Sequence, residues 1–256
     1  MGLFDNTAKR LASRPTVLFP VDPAGMADAV TRYDPGMQVR GDRFVFGNGV
    51  MLYGPVEITP DIATKASLPV GMPVAYYASV AVQGKAERRP DDEKWQDASR
   101  LIRGLATRLG GTVHDPRPGM ELTLDASVYS GQPLPVADVI QVLSPFAGHE
   151  LEAGPMQLQD AYALRPVEGS VLFLTMYFPP WIAGMRVQPP PPAIGELRRQ
   201  KPCHWELHTS VPVQDAGPED CQTVGSAALA LARRAGGVVT DAYGFPVTRP
   251  EDLLPH

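Results

Sequence analysis

The sequence has few of the features that mark an enzyme, a secreted protein or a membrane protein. Its two cysteines are too few for a disulfide scaffold, and we expect Cys203 and Cys221 to be reduced thiols of a cytoplasmic protein. No stretch approaches the roughly 20 apolar residues of a membrane span, and the first residues lack the apolar core of a secretory signal. A nucleophile elbow, a phosphate-binding loop, a dinucleotide fingerprint and a paired-cysteine motif are also missing. We therefore expect a protein that is not an enzyme and uses no cofactor.

The chain also lacks a large excess of either positive or negative charge. The chain has 23 basic and 28 acidic residues, a net charge of −5, and no long run of either sign. Binding to nucleic acid requires a basic face that displaces counterions, so this composition argues against a nucleic-acid partner. The hydrophobic content of 44% is typical of packed globular proteins, and 256 residues allow one large domain or two ordinary ones.

What the sequence does contain is an internal repeat. Residues 95–115 and 221–241 align without a gap, so that Gly110 corresponds to Gly236, 126 positions later. In both copies the apolar residues recur at the i, i+3, i+4, i+7 spacing of one helix face, and a Gly-Gly pair follows. We therefore predict two equivalent amphipathic helices, each preceded by a strand and followed by a short strand.

The other elements also occur twice. Alternating apolar residues and turn signals, such as residues 47–49 (Gly-Asn-Gly), predict a β-α-β-β-β-α-β unit that is repeated once. The prediction includes one strand over residues 37–46, a loop over 59–73 and a helix over 136–143. The predicted fold class is α+β, with each unit a mainly antiparallel sheet carrying helices on one face. We assign residues 16–118 to the first unit and 119–256 to the second. The proline-rich stretch 179–202 is either a stiff loop or a polyproline ligand.

Residues 1–15 form a separate N-terminal segment that can be helical. Its apolar residues share one helical face, with basic residues at the edges: Leu3, Phe4, Ala8 and Leu11, with Lys9, Arg10 and Arg14. Such a helix either makes peripheral contact with an anionic membrane surface through residues 1–14, or is a terminus that frays or docks on the core. The expected location is the cytoplasm, with membrane association under the first alternative.

The second half of the chain resembles the C-terminal domain of the ZipA family of bacterial division adaptors, which tie the tubulin-like protein FtsZ to the membrane. The similarity lies in the order of elements, in the run Gly236-Gly237-Val238-Val239-Thr240-Asp241 and in Thr248-Arg249-Pro250. It covers most of residues 121–253 and extends more weakly to 16–118. The resemblance implies a protein-binding adaptor that holds a tail peptide of a division or cytoskeletal protein, such as FtsZ, on the apolar face of a sheet.

The resemblance also indicates where such a peptide would lie. The family's groove aromatic on the fourth strand falls at His208 in the second unit and at Tyr77 in the first. Because the outward residues of the second unit are polar, we expect the first unit to hold the groove. The predicted partner-binding residues are Leu18, Phe44, Phe46, Met51, Tyr53, Ala75 and Tyr77.

A second function class depends on the motif His204-x-Glu206-x-His208. Period-two spacing places the three side chains on one sheet face, where two imidazoles and a carboxylate can ligate a metal ion. Glu121 or Asp125 would complete the site if the first strand of the unit is adjacent. The alternatives are a metal-binding or metal-dependent hydrolytic protein and a solvated polar face without a metal.

Overall fold

The structure, a computed structural model, describes residues 3–80, 92–117, 122–169, 172–180 and 190–253, without the side chains of residues 3–5 and 92–94. The chain divides into two compact units, Met1–Met120 and Glu121–Pro255. Each unit contains one antiparallel sheet with helices packed on it, which confirms the α+β class and the tandem arrangement.

The first unit begins with a helix and closes with a short strand. Its helices are α1 (Leu3–Ala12), α2 (Met26–Tyr33), α3 (Pro60–Ala66) and α4 (Asp92–Leu109). Its strands are β1 (Thr16–Phe19), β2 (Gln38–Arg40), β3 (Arg43–Val45), β4 (Val50–Glu57), β5 (Val74–Val80) and β6 (Thr112–His114). Their order across the sheet is β2-β3-β4-β5-β1-β6, and every neighbouring pair is antiparallel.

The sequence predicted one strand where the structure has the β2–β3 hairpin. Gly41 has a φ of +65°, a conformation that glycine adopts without steric cost, and it turns the chain between the two strands. The apolar alternation continues through this turn, which is why a single strand over residues 37–46 was expected. The first sheet therefore has one strand more than the sequence indicated.

Helices α2 and α4 pack on one face of the first sheet. The apolar stripe of α4, including Leu101, Ile102 and Leu105, is fully buried, as its helical spacing predicted. On α2 the ring of Tyr33 meets Phe46 edge to face, with ring centroids 5.3 Å apart. We call this the inner face of the first sheet.

Helices α1 and α3 lie on the other face, which we call the outer face and to which the sequence assigned no helix. Ala8 and Leu11 of α1 pack with α3 and with outward residues of β1 and β5 in one apolar cluster. The start of α3 has local signals, because the Thr59 side chain accepts a hydrogen bond from the Ile62 amide and Pro60 occupies the first turn. The segment that contains α3 was expected to be a loop.

The second unit has seven strands and two α-helices within its described residues. The helices are α5 (Val136–Ala147) and α6 (Pro218–Ala235), and a 3₁₀ segment (Pro192–Gln200) lies within the proline-rich stretch, of which residues 181–189 are outside the described part. The strands are β7 (Ala126–Ser130), β8 (Leu151–Pro155), β9 (Tyr162–Pro166), β10 (Phe173–Phe178), β11 (Cys203–Thr209), β12 (Val238–Asp241) and β13 (Pro246–Val247). Their order is β13-β12-β7-β11-β10-β9-β8, again antiparallel throughout.

The two sheets confirm the repeat. Without the extra strand β13, the second sheet has the strand order of the first, and α4 and α6 are both 18 residues long at the predicted offset. The Gly-Gly pair has two roles. Gly110 and Gly236 end the helices with φ of +69° and +61°. The following glycines allow close packing, since a Cβ on Gly237 would lie 2.3 Å from the carbonyl oxygen of Tyr129.

The core of the second unit lies between its sheet and the helices α5 and α6. Trp205 is fully buried there, and its indole donates a hydrogen bond to the Tyr162 hydroxyl at 3.1 Å. Cys221 is buried at the core position that the repeat assigned to it. The helix α5 continues through Pro145 to Ala147, beyond its predicted end.

Candidate functional site

Cross-strand pairing arranges the outer face of the first sheet in two rows. In the first row the neighbours are, in order, Arg40, Arg43, Tyr53, Tyr77 and Thr16. In the second row they are Gln38, Val45, Met51 and Ser79. Directly paired residues project from the same face of a sheet, so the two rows together form one surface.

One part of this surface is covered by the chain itself. Leu18 and Ala75 are fully buried and Tyr77 is 5% exposed, because α1 and α3 pack over them. The ring of Tyr77 stacks on Tyr53 at a centroid distance of 4.9 Å and an angle of 3°. The alternation placed these residues on the correct face, but they do not form an accessible partner-binding surface. Their cover is an intramolecular helix pair instead of a partner.

Two of the predicted partner-binding residues face the other way. Phe44 pairs across the strands with the fully buried Leu52, and Phe46 packs on Tyr33 of α2. Both phenylalanines therefore belong to the inner face, with the helices that form the core. They do not share a surface with Met51 and Tyr53.

The remaining part of the outer face is partly exposed. We define the open patch as the apolar centre Val45, Met51 and Tyr53 together with the surrounding arginines Arg14, Arg40 and Arg43. The three central residues are neither buried nor fully exposed, and Arg40 is exposed. Met51 and Tyr53 are thus the two predicted partner-binding residues that the structure leaves accessible on the outer face.

The polar contacts within the open patch hold its side chains in place. Tyr53 accepts a hydrogen bond from Arg43 Nη1 at 3.2 Å, and its hydroxyl lies 3.6 Å from the Met51 sulfur. The Arg43 guanidinium also lies 5.6 Å from the centre of the Tyr53 ring, within the range of a cation–π contact. At the edge of the patch, Arg14 donates to the Ser79 hydroxyl. Sequence reasoning did not identify the arginines, although period-two alternation from Tyr53 and the β2–β3 turn would have placed Arg40 and Arg43 here.

The equivalent surface of the second unit differs in register from the predicted alignment. Thr16 pairs with Tyr77 and His114, and the matching residue Ser127 pairs with Glu206 and Thr240. Tyr77 therefore corresponds to Glu206, two residues before His208 on the same face. A two-residue slip keeps the facing of every side chain, so His204, Glu206 and His208 project from the predicted face. The surface is not polar throughout, because Phe178 and Tyr129 are the cross-strand neighbours of His204 and Met176 is that of Glu206.

The three residues of the His204-x-Glu206-x-His208 motif are joined by their own contacts. His204 is buried between the rings of Tyr129 and Phe178, with centroid distances of 5.4 and 4.7 Å. Its Nε2 lies 3.2 Å from a Glu206 oxygen, and the second Glu206 oxygen lies 3.9 Å from His208 Nε2. The other nitrogen of His208 is 2.8 Å from Asp125.

This arrangement removes the geometric basis for the metal hypothesis. Glu206 lies between the two histidines, and Asp125 contacts only one of them, His208, so the four groups form a row of polar pairs instead of converging on one point. Among the residues that the structure describes, no group of three or more histidine, cysteine, aspartate or glutamate side chains could hold a metal ion. Glu121, the other proposed ligand, lies outside those residues.

The contact with Asp125 favours the protonated form of the His208 imidazole. The hydrogen bond to Asp125 raises the pKa of His208 above its ordinary value, while partial burial lowers it and the charges of Asp125 and Glu206 raise it further. Asp125 is itself anchored, because it accepts hydrogen bonds from the Thr209 amide and the Thr123 hydroxyl. The imidazole therefore contributes to local stability mainly in its protonated form.

The remaining ionisable groups with shifted pKa values belong to the core. Burial raises the pKa of the Cys203 thiol to about 11, and burial with the nearby Asp220 carboxylate does the same for Cys221. Burial also raises the pKa of Tyr162 to about 12. A thiol with a raised pKa forms little thiolate at neutral pH, so neither cysteine has the character of a nucleophile.

The N-terminal helix exists as predicted, but its apolar face is occupied. Ala8 is 4% exposed and Leu11 is fully buried against the sheet, whereas the side chains of Leu3 and Phe4 lie outside the described part. Contact of this face with a membrane would require α1 to leave the outer face of the first sheet. Within the described residues, no helix combines the length and the apolar character needed to cross a membrane.

Comparison with protein-family models, with curated proteins and with solved structures finds no match to this chain.

Proposed function

We propose that this protein is a non-enzymatic adaptor that captures a segment of another protein on the open patch of its first unit. The observation that carries the proposal is the partial exposure of Met51 and Tyr53 on a sheet face whose other part is covered by the chain's own helices. An antiparallel sheet normally leaves a face open only where that face is polar. The centre of this patch is instead apolar, which is typical of a contact surface.

The size of the centre supports capture of a short segment. Complete burial of a methionine or tyrosine side chain contributes about 1.5–3 kcal/mol, and aromatic residues held in a fixed orientation are frequent hot spots. The Arg43 and Met51 contacts already restrict the Tyr53 ring, so little side-chain entropy is lost on binding.

The resemblance to the ZipA family supports a tail peptide of FtsZ, or of another division or cytoskeletal protein, as the captured segment. It also supports a cytoplasmic location. The titration of the protein with a fluorescent FtsZ tail peptide tests this partner directly. We expect the anisotropy to saturate for the wild type, and Met51→Asn, which removes the apolar contact without adding a charge, to weaken binding more than tenfold. Val70→Asn is the matched control, because Val70 is 95% exposed and lies in the same unit.

Site-specific cross-linking tests the adaptor function without assuming a partner. A photo-reactive residue in place of Met51 should form an adduct with one protein, and that protein, once purified, should bind the wild type and not Met51→Asn. The same photo-reactive residue at position 70 should not form this adduct. Identical adducts from both positions, or a purified partner that does not distinguish Met51→Asn from the wild type, would contradict the proposal.

A further inference from the structure

Three arginines surround the apolar centre of the open patch, although the protein as a whole has a net charge of −5. Within the described residues, Arg14, Arg40 and Arg43 make side-chain contacts with neutral groups only. The acceptors are the Ser79 hydroxyl, the Gln38 amide oxygen and the Tyr53 hydroxyl. Some basic groups on other surfaces of the chain are paired with carboxylates, as Arg234 is with Asp138 and Lys65 with Asp61.

The arginines are oriented before any partner binds. Arg40 donates to Gln38 at 2.6 and 3.1 Å, and Arg43 is held by the hydroxyl and the ring of Tyr53. Arg43 Nε is buried and has no hydrogen-bond partner among the described residues. Arg40 and Arg43 are direct cross-strand neighbours, so their like charges are close together, and within the described residues neither guanidinium forms an ion pair. A planar guanidinium in this position is suited to bind a carboxylate.

We infer that the segment captured by the open patch is acidic, with carboxylates that pair with Arg40 and Arg43 and an aliphatic side chain that packs on Met51. This inference rests on the proposed function and specifies the chemistry of the partner. The binding of a carboxylate relieves the repulsion between the two guanidiniums and gives each a charged acceptor. The apolar centre contributes affinity, and the arginines select an acidic segment over a neutral or basic one.

Three fluorescent helical peptides with the same leucines test the inference. They carry glutamate, glutamine or lysine at all other positions and are titrated against the full chain. We expect the glutamate peptide to bind about tenfold more tightly than the glutamine peptide, with the lysine peptide weakest. Since exposed charges are screened by salt, this difference should shrink between about 50 mM and 500 mM salt.

Charge reversal supplies the matched variants. Arg40→Glu/Arg43→Glu should bind the lysine peptide more tightly than the glutamate peptide. Arg40→Glu alone changes an exposed side chain and should lose most of the preference for glutamate even if the double variant folds poorly. Arg233→Glu, an exposed arginine near the end of α6 in the second unit, should behave as the wild type.

Two results would overturn the inference. Equal affinities of the wild type for the glutamate and glutamine peptides would show that only the apolar centre contributes to recognition. The adaptor proposal would then be decided by the cross-linking experiment at position 51. The absence of binding by all three peptides would reject the acidic segment. It would also reject the adaptor function only if position 51 yields no specific adduct.

Discussion

The replacement of Tyr77 by alanine distinguishes between two descriptions of the outer face: one covered by helices and one that is an open groove. The Tyr77 ring is 5% exposed, stacks on Tyr53 and packs in the cluster that α1 and α3 form over the first sheet. An open groove would tolerate its removal with loss of binding alone. A core position would not, because the cavity left under α1 is not filled by the remaining side chains.

The structure allows the size of the effect to be calculated. Truncation of a large buried aromatic residue to alanine costs about 3–5 kcal/mol, which includes the loss of the stacking contact with Tyr53. For a unit of this size each kcal/mol lowers the Tm by about 3–6 °C, so Tyr77→Ala should lower the transition of the first unit by about 9–30 °C. Tyr77→Phe keeps the ring and should cost less than about 1 kcal/mol.

Hydrogen exchange followed by mass spectrometry locates the effect within the chain. In Tyr77→Ala, the amides of β1 and β5 should lose protection, whereas those of β7 and β11 in the second unit should keep it and act as an internal reference. Tyr77→Phe should match the wild type in all four strands. Wild-type protection of β1 and β5 in Tyr77→Ala, together with an unchanged Tm, would refute the assignment of this face to the core.

Three further predictions concern the second unit. Because Asp125 raises the pKa of His208, the contact between the two residues should stabilise the folded unit fully below about pH 6.5, and this stabilisation should be lost as the pH rises through the raised pKa. The urea midpoint of the wild type should therefore fall more between about pH 6 and pH 8.5 than that of His208→Asn. Cys203 and Cys221 should react with a thiol reagent only after unfolding, and rapid reaction of the native protein would contradict their burial. Gly237→Ala should destabilise the unit by about 2 kcal/mol or more in urea titrations, because the added Cβ collides with a backbone carbonyl. Gly148→Ala is the comparison: its Cβ has space, so the only destabilisation should come from placing alanine at a positive φ.

The elements that could be predicted from the sequence are those with a strong period or an unambiguous end signal. The helices α4 and α6 have long apolar stripes that end at Gly-Gly pairs. The similarity of these two segments predicted the tandem architecture. The short elements were missed for physical reasons. The strands β2 and β3 are three residues each, and α3 is a seven-residue helix inside a segment that reads as a loop. Such elements are stabilised by tertiary packing, which local patterns do not contain.

The outward facing of Leu18, Ala75 and Tyr77 was predicted, but the helices that cover them were not. The sequence did not indicate the facing of the hairpin residues. Alternation correctly directed Ala75 and Tyr77 away from α4, but no local pattern shows that α1 and α3 return over the same face. Phe44 lies on β3, the separate strand that follows the turn at Gly41, and its pairing with Leu52 directs it to the inner face. The arginines of the open patch were overlooked because isolated charges on short strands resemble ordinary solvated residues.

The accessibility of Met51 to a partner is the central claim, and its methyl group reports on it directly. The chain has nine methionines, and ¹³C-methyl labelling followed by NMR gives one resonance for each, with Met51 assigned by its loss in Met51→Leu. On titration with the partner protein recovered by cross-linking at position 51, the Met51 resonance should shift and saturate, while that of Met176 on the second sheet should remain unchanged. A saturating shift of other methionines without any change at Met51 would contradict capture on the open patch.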